Sequence, residues 1–254
     1  MRNFSSVLLF LATMNVCTLP STAAESGWRI DQNTNANGNQ LVVMTARAIE
    51  ITLPHQKYKI YSAAPNWSVM YINNQIGTYL EFPHDQFMGS ILGRLGNHLG
   101  NDIQMLTLPK PSTVKEDGLE YATYDYSVKV TDEERRQLKV KSSNAVLYNA
   151  RKIKAKYLRL PDIPKQAKEM VCKVCCVPMS TDFPISFSCI DGFKENLTVL
   201  STTLKRKEKA VTVLPPDLKG LKRVRTEAEL FSRTRMNDVF ELFDDSSNDK
   251  KKGK

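Results

Sequence analysis

Residues 41–82 read LVVMTARAIEITLPHQKYKIYSAAPNWSVMYINNQIGTYLEF, and short groups of turn-forming residues separate their apolar runs. Runs rich in β-branched and aromatic side chains, bounded by Pro and Asn, are typical of antiparallel strands. The pair Asn73-Asn74 tolerates the positive φ that a tight hairpin needs. We therefore expect four consecutive strands. Their predicted bounds are 41–53, 57–61, 67–72 and 76–82.

The same strand pattern recurs along the chain, without the alternation of strands and helices that builds a parallel sheet. Further strands are predicted at 119–130, 153–160, 185–190, 197–204 and 210–214. One face of the 119–130 strand carries Ala122, Tyr124, Tyr126, Val128 and Val130. Asp191-Gly192 marks a turn, and the polar segment 32–40 is expected to be a loop. The sequence thus predicts a mainly β protein with antiparallel strands.

Few helices are predicted. Residues 164–177 have helical spacing, with an apolar stripe that ends at a proline. The stripe consists of Ala167, Met170, Val171, Val174 and Cys175. A second helix is expected to begin at Thr226, because Thr226-Glu227-Ala228-Glu229 forms a capping box. Met236, Phe240 and Phe243 would lie on one side of it.

Residues 1–24 have the features of a secretory signal peptide. Arg2 precedes an apolar run too short to span a bilayer, and small residues follow as far as Ala24. We expect cleavage near Ala24 and an extracytoplasmic protein, periplasmic or secreted, with no transmembrane segment. The expected organisation is one β-rich domain over 25–243 and a disordered charged tail over 244–254.

The chain carries 36 Lys and Arg against 27 Asp and Glu, a net charge of +9. In the cytoplasm such an excess would suggest nucleic acid as a partner. Outside the cytoplasm we expect no nucleic-acid partner, and an anionic component of the cell envelope is the better candidate. The alternative is a solvated basic face with no specific partner. The candidate contact residues are Lys205, Arg206, Lys207, Lys222 and Arg223.

Four cysteines follow the expected signal peptide, an even number that favours two disulfides in an oxidising compartment. They are Cys172, Cys175, Cys176 and Cys189. Three connectivities are open. Cys189 lies on the strand that follows the predicted helix, so we favour one bond from the helix to Cys189. A bond between Cys172 and Cys175 would complement it.

Cys172 and Cys175 also form a CxxC motif, which suggests a redox centre as an alternative. A reactive CxxC takes its low thiol pKa from a helix N-terminus, whereas this motif lies near the end of its predicted helix. A four-cysteine zinc site would need a second CxxC. The GxSxG, HExxH, P-loop and GxGxxG fingerprints are absent from the sequence. The sequence therefore predicts no catalytic residue, no metal site and no cofactor.

Aromatic residues are frequent on the predicted strands. Half-buried sheets are rich in aromatic side chains, and packing alone would account for them. The functional alternative is a curved sheet whose concave face binds an apolar ligand. The candidate ligand-face residues are Tyr58, Trp67, Tyr71, Tyr79, Tyr124 and Tyr126.

The order of these elements resembles the bacterial outer-membrane lipoprotein carrier superfamily over most of the chain that follows residue 24. The segments that carry the resemblance are APNWSV (64–69), YLEFP (79–83), FPI (183–185), VLSTT (199–203) and VLPPDLKGLKRV (213–224). The resemblance implies an antiparallel sheet wrapped into a half-open barrel and closed by helices. It also implies that the concave sheet binds acyl chains or another apolar ligand.

Three functional hypotheses follow from these observations. The first is a non-enzymatic extracytoplasmic protein that binds a lipid-like or other apolar ligand, or senses the envelope. The second is a structural or scaffolding protein that docks on an anionic envelope surface through its basic clusters. The third is a thiol–disulfide redox protein that uses Cys172 and Cys175.

Overall fold

The computed structural model describes residues 25–35, 37–90, 106–129, 150–190, 196–204 and 208–231. Thirteen strands and two helices lie within these ranges. The strands are β1 (Glu25–Thr34), β2 (Gly38–Thr45), β3 (Ala48–Leu53), β4 (Tyr58–Ala63), β5 (Val69–Asn73), β6 (Thr78–Phe82), β7 (Ser112–Glu116), β8 (Leu119–Lys129), β9 (Ala150–Leu158), β10 (Phe183–Ile190), β11 (Asn196–Leu204), β12 (Glu208–Val211) and β13 (Lys222–Arg223). The helices are α1 (Lys165–Cys175) and α2 (Glu227–Leu230), and a 3-10 turn covers His84–Gln86.

The strands form one curved, open sheet. Their order across it is β13-β6-β5-β4-β3-β2-β1-β11-β10-β9-β8-β7, while β12 pairs with β1. Neighbouring strands are antiparallel except β13, which runs parallel to β6. The sheet therefore ends at β13 and β7 and is not closed into a barrel. The prediction of a mainly β fold, with a curved antiparallel sheet and a few helices, is confirmed.

Alternating side chains divide the sheet into an inner face, covered by α1, and an outer face. In β3, Ile49 and Ile51 are fully buried on the inner face, whereas Glu50 between them is partly exposed on the outer face. The stripe predicted for the first helix is buried in the same core as these strand residues. Burying each such side chain contributes about 1.5–3 kcal/mol, so the sheet and α1 stabilise each other.

The region 41–53, predicted as a single strand, is a hairpin of β2 and β3. The turn between them is held by Thr45, whose hydroxyl accepts hydrogen bonds from the N–H groups of Arg47 and Ala48, both at 3.2 Å. A threonine that bonds its own neighbouring backbone gives the chain an alternative to continuing the strand. The sequence pattern does not reveal the turn, because apolar residues both precede and follow it.

The loop predicted at 32–40 is also wrong. Gln32 and Thr34 belong to β1, and Gln40 belongs to β2. Both glutamines lie almost fully buried on the inner face, where the Gln40 amide donates to Gln32 Oε1 at 2.9 Å. Because this hydrogen bond offsets part of the cost of burying two amides, the polar segment forms strands although its composition favours a loop.

Helix α1 confirms the helix predicted over 164–177. Pro164 precedes its first turn, where the missing N–H leaves no hydrogen bond unmade. The helix ends at Cys175, and the capping residue Cys176 has a left-handed φ of 54° and donates its N–H to the carbonyls of Cys172 and Lys173.

Helix α2 begins at the predicted capping residue. The Thr226 hydroxyl accepts from the N–H of Glu229 at 3.3 Å. The Glu229 carboxylate accepts from the N–H of Arg225 at 2.9 Å, one residue before the position that a capping box predicts.

Several predictions concern residues outside the described ranges. They are the signal peptide at 1–24, the turn at Asp191-Gly192, the helical positions Met236, Phe240 and Phe243, and the tail at 244–254. Neither described helix is long and apolar enough to span a membrane. Three described strands, β1, β7 and β13, were not predicted. Of these, β7 forms a hairpin with β8 through Asp117 and Gly118, which both have positive φ.

Candidate ligand groove

The predicted ligand-face aromatics lie on both sides of the sheet. Tyr58, Trp67, Tyr71 and Tyr124 are between 0% and 9% exposed and belong to the inner-face core. Tyr126 is partly buried against the same core. Tyr79 lies on the outer face, where it packs near Tyr61 and Ile72. The structure thus brings five of the six residues together.

The inner-face aromatics pack against one another and against chain segments that cover them. Tyr71 makes edge-on contacts with Tyr58 and Phe82, at ring centroid distances of 5.6 and 5.3 Å. Phe87, which is fully buried, lies 5.9 Å from the Tyr71 ring. The Tyr71 hydroxyl donates to the carbonyl of Gly89. In the described part of the chain these aromatic rings therefore pack directly against one another on the inner face.

Helix α1 is held on the inner face by buried amide side chains. Asn37 donates to the carbonyl of Val174 at 2.7 Å, and Gln40 donates to Cys175 Sγ at 3.2 Å. Asn37 Oδ1 in turn accepts from Gln56 Nε2 at 2.8 Å. These contacts join the C-terminal turn of α1 to the β1–β2 hairpin. We call this cluster the polar seam and define it as Gln32, Asn37, Gln40 and Gln56.

The predicted disulfides are not formed among the four described cysteines, so that prediction is wrong. All four are buried, and none is bonded to another cysteine. Cys172 is hydrogen-bonded to the backbone at Ser180, whereas Cys175 lies between the amides of Gln32 and Gln40. Cys176 lies 3.9 Å from the carbonyl of Lys173. A disulfide needs two sulfurs about 2 Å apart, and these surroundings keep them separate.

Burial also changes the acidity of the CxxC thiols. Desolvation raises the pKa of Cys172 to about 12, and it raises the pKa of Cys175 well above its usual value. The thiolate is the reactive form of cysteine, and both side chains are protonated near neutral pH. The geometry therefore gives the redox hypothesis no support.

The predicted anionic-surface residues are described only in part. Lys222 and Arg223 are exposed on β13, at one end of the sheet. Arg223 forms an ion pair with Glu81 at 3.3 Å. Lys205, Arg206 and Lys207 lie outside the described residues.

A segment that crosses the outer face of the sheet creates an apolar groove. We call residues 212–221 the strap. Val213 and Leu221 of the strap pack on the cluster of Ala48, Tyr61 and Ile72. Beside this contact a cavity of about 310 Å³ remains between the strap and β4, and we call it the outer groove. Its apolar lining includes Ala48, Tyr61, Ala63, Pro65, Val211 and Leu214.

The outer groove has one charged end. Arg47 Nε lies 3.1 Å from Glu25 Oε1, and both residues line the groove. The Arg47 side chain is 65% exposed and that of Glu25 is 27% exposed. Glu25 Oε2 is buried and has no hydrogen-bond donor among the described residues. The groove thus combines apolar walls with an exposed guanidinium at its edge.

Tyr61 contributes a neutral hydroxyl to the groove. Burial raises its pKa, and the nearby Glu50 carboxylate raises it further. Glu50 itself accepts from Lys59 Nζ at 2.9 Å. The phenol therefore stays protonated at physiological pH and adds no charge to the groove.

A second cavity, of about 340 Å³, lies on the outer face of β11, β1 and β2. Most of its lining residues are polar, among them Asp31, Asn33, Asn39, Ser201 and Thr203. Asn33 donates to Asn39 across this surface at 2.5 Å. It offers no apolar wall comparable with that of the outer groove.

The outer groove is not evident from the sequence. Its signal is the apolar run from Val211 to Leu214 followed by Pro215 and Pro216, for which the pattern predicts a strand that ends at 214. In the structure the strand β12 ends at Val211, and the two prolines of the strap have no N–H to donate to a neighbouring strand.

Comparison with known proteins adds no family assignment. No model of a known protein family matches the sequence, and none of the curated proteins matches it. Within the described residues no three His, Cys, Asp or Glu side chains form a cluster that could hold a metal ion.

Proposed function

We propose that this chain is an extracytoplasmic, non-enzymatic binding protein that holds a lipid-like apolar ligand in the outer groove. The observation that carries the proposal is the open apolar space between the strap and β4, with a volume of about 310 Å³. Small-molecule sites are concave, mostly apolar and furnished with a few polar groups, and their volumes begin near this value.

The packing of the inner face favours the outer groove as the binding place. Tyr58 and Tyr71 are 2% and 0% exposed, so protein atoms already cover their rings. Leu214 at the edge of the outer groove is 55% exposed, a large value for an apolar side chain. A ligand that covers Leu214 would remove apolar surface from water and gain about 25 cal/mol for each Å².

The proposal assigns no chemical step to the protein. Cys172 and Cys175 are protonated and fully buried. The groove contains an arginine, a glutamate and a neutral tyrosine, which suit binding through charge and hydrogen bonds.

The proposal is tested with a neutral fluorescent probe, N-phenyl-1-naphthylamine, whose emission rises in apolar surroundings. We expect the wild-type protein to bind it and decanol to displace it. Ala63 lines the groove, so Ala63→Trp should fill the space and weaken probe binding by about tenfold, which corresponds to about 1.4 kcal/mol. Native mass spectrometry of gently purified protein, followed by lipid extraction, would identify a ligand that co-purifies.

Ala228→Trp is the matched control, because Ala228 is exposed on α2 and the substitution adds the same ring. Equal probe binding by wild type and Ala63→Trp, with both variants folded, would refute the outer groove as the site.

A second candidate function is docking on an anionic envelope surface. It is favoured by four exposed cations within seven consecutive residues at and beside β13, namely Lys219, Lys222, Arg223 and Arg225. Vesicles containing phosphatidylglycerol should bind the protein at low salt and release it at high salt. A Lys219→Gln, Lys222→Gln double variant should bind more weakly, and unchanged binding at high salt would exclude this function.

A further inference from the structure

The backbone of Arg47 is fixed at the mouth of the outer groove. Its N–H donates to the Thr45 hydroxyl at 3.2 Å, and its carbonyl accepts from the N–H of Ala64 at 2.8 Å. Ala64 is itself part of the groove wall. The base of the Arg47 side chain is therefore tied to both the β2–β3 turn and the groove.

Glu25 leaves part of the Arg47 guanidinium available. The ion pair uses Nε of Arg47, at 3.1 Å from Glu25 Oε1. The Arg47 side chain is 65% exposed, so part of the guanidinium remains accessible to a ligand. A guanidinium offers five N–H donors in a plane, and two parallel donors fit the oxygens of one carboxylate or phosphate.

We infer that the outer groove selects single-chain amphiphiles with an anionic head, whose carboxylate or phosphate is bound by the Nη groups of Arg47. The alkyl chain would lie against Tyr61, Ala63 and Leu214. This inference rests on the proposed function and adds the chemical class of the ligand. The groove joins apolar walls to an exposed cation, which is the arrangement that such an amphiphile complements.

Glu25 is expected to oppose this binding while it orients the guanidinium. Its carboxylate is adjacent to the place where the anionic head would lie, so the two negative charges repel each other. Removing the charge of Glu25 should therefore strengthen the binding of an anion. Removing the charge of Arg47 should weaken it. A pair with a purely structural role would predict that both changes weaken binding.

The test compares four ligands with the same ten-carbon chain: decanoate, decyl phosphate, decanol and decyltrimethylammonium. Each displaces N-phenyl-1-naphthylamine from the wild-type protein at low salt. Because Arg47 is well exposed, we expect the two anions to bind about threefold to fivefold more tightly than decanol. Decyltrimethylammonium should bind most weakly. The two anions together show whether a fatty acid or a lipid phosphate is preferred.

Three variants locate the effect. Arg47→Met should remove the preference for the two anions, so that decanoate and decyl phosphate bind no more tightly than decanol to the same variant. Glu25→Gln should tighten decanoate binding by about twofold to threefold. Arg223→Met is the matched control, because it removes a similar exposed cation away from the groove and should change none of the affinities.

The outcomes separate this inference from the proposed function. If decanol and the probe bind but the four heads bind equally, the anionic-head inference is overturned and the groove remains a ligand site. If none of the four ligands displaces bound probe, or the probe does not bind, both proposals fail. Equal losses in Arg47→Met and Arg223→Met would assign the preference to general surface charge and overturn the inference. Thermal unfolding of each variant checks that it is folded.

Discussion

The Cys172 thiol shows how strongly burial controls the chemistry of a single residue. It lies on α1, fully buried against the inner face of the sheet, and its pKa is raised to about 12 by desolvation. A CxxC motif in a sequence suggests reactivity because the spacing is right. Its position at the end of a helix that covers an apolar core removes the positive potential that a thiolate needs.

We expect this thiol to make stability depend on alkaline pH. Below pH 9.0, the ordinary pKa, Cys172 is protonated in the folded and unfolded states alike. Between pH 9.0 and about 12 the unfolded chain loses the proton and the folded chain keeps it. Within this interval the Cys172 thiol should therefore lower the free energy of unfolding by about 1.4 kcal/mol for each unit that the pH rises.

Urea unfolding of wild type and Cys172→Ala over this pH interval isolates the contribution, because lysines and tyrosines titrate in both proteins. The stability advantage of wild type should shrink as the pH rises. Parallel stability curves for the two proteins would show that the thiol titrates normally in the folded state.

Among the secondary-structure elements, α1 depends on the polar seam as well as on its apolar stripe. Asn37 is 3% exposed and links the carbonyl of Val174 to the amide of Gln56. A buried polar group that loses its hydrogen-bond partner lowers the free energy of unfolding by about 1–3 kcal/mol. This loss exceeds the net contribution of an intact hydrogen bond. The seam therefore fixes the position of the helix on the sheet.

Asn37→Ala should destabilise the protein by about 2–4 kcal/mol, because it leaves the Val174 carbonyl and the Gln56 amide without their partner. Hydrogen exchange should show a larger loss of protection in α1 than in β3 and β4. Asn33→Ala is the control, since Asn33 makes an exposed contact to Asn39 and its loss should cost little. Uniform loss of protection over α1 and the strands would contradict a local role for the seam.

The elements that the sequence predicted well are those in which local pattern and final environment agree. β4 and β8 alternate apolar and polar side chains and lie with one face on the core, so alternation identifies them. β1 was not predicted, and its C-terminal end was expected to be a loop, because the buried positions there are the polar Gln32 and Thr34. The Gln32 amide becomes favourable only through its partner Gln40 on β2. The outer groove could not be predicted, because it depends on where the strap crosses strands that lie about 150 residues earlier in the chain.

The complete sheet joins parts of the chain that are far apart in sequence. β1 lies at its centre, between β2 and β11, and the chain returns after the strap to add β13 beside β6. The N–H of Val224 donates to the carbonyl of Tyr79 at 2.9 Å, and Asn73 donates to the carbonyl of Leu230 at 3.1 Å. The end of the described chain thus covers the first meander, and a continuous sheet with one main core is expected to unfold cooperatively.

Leu230→Ala tests this coupling between the ends of the chain. Leu230 is 0% exposed in the main core, so truncation should cost about 3 kcal/mol through lost burial and the cavity that remains. Leu214→Ala removes the same atoms from a side chain that is 55% exposed, and it should change stability by less than about 0.5 kcal/mol.

In Leu230→Ala, the fluorescence of Trp28 and Trp67 and the far-ultraviolet circular dichroism should shift to lower urea concentration together. Both tryptophans lie in the same core as Leu230, although they precede it by more than 160 residues. If the tryptophan transition kept its wild-type midpoint while the dichroism shifted, the first meander would be an independent unit. The outer groove, which is built from the first meander and the strap, would then open before the first meander unfolds.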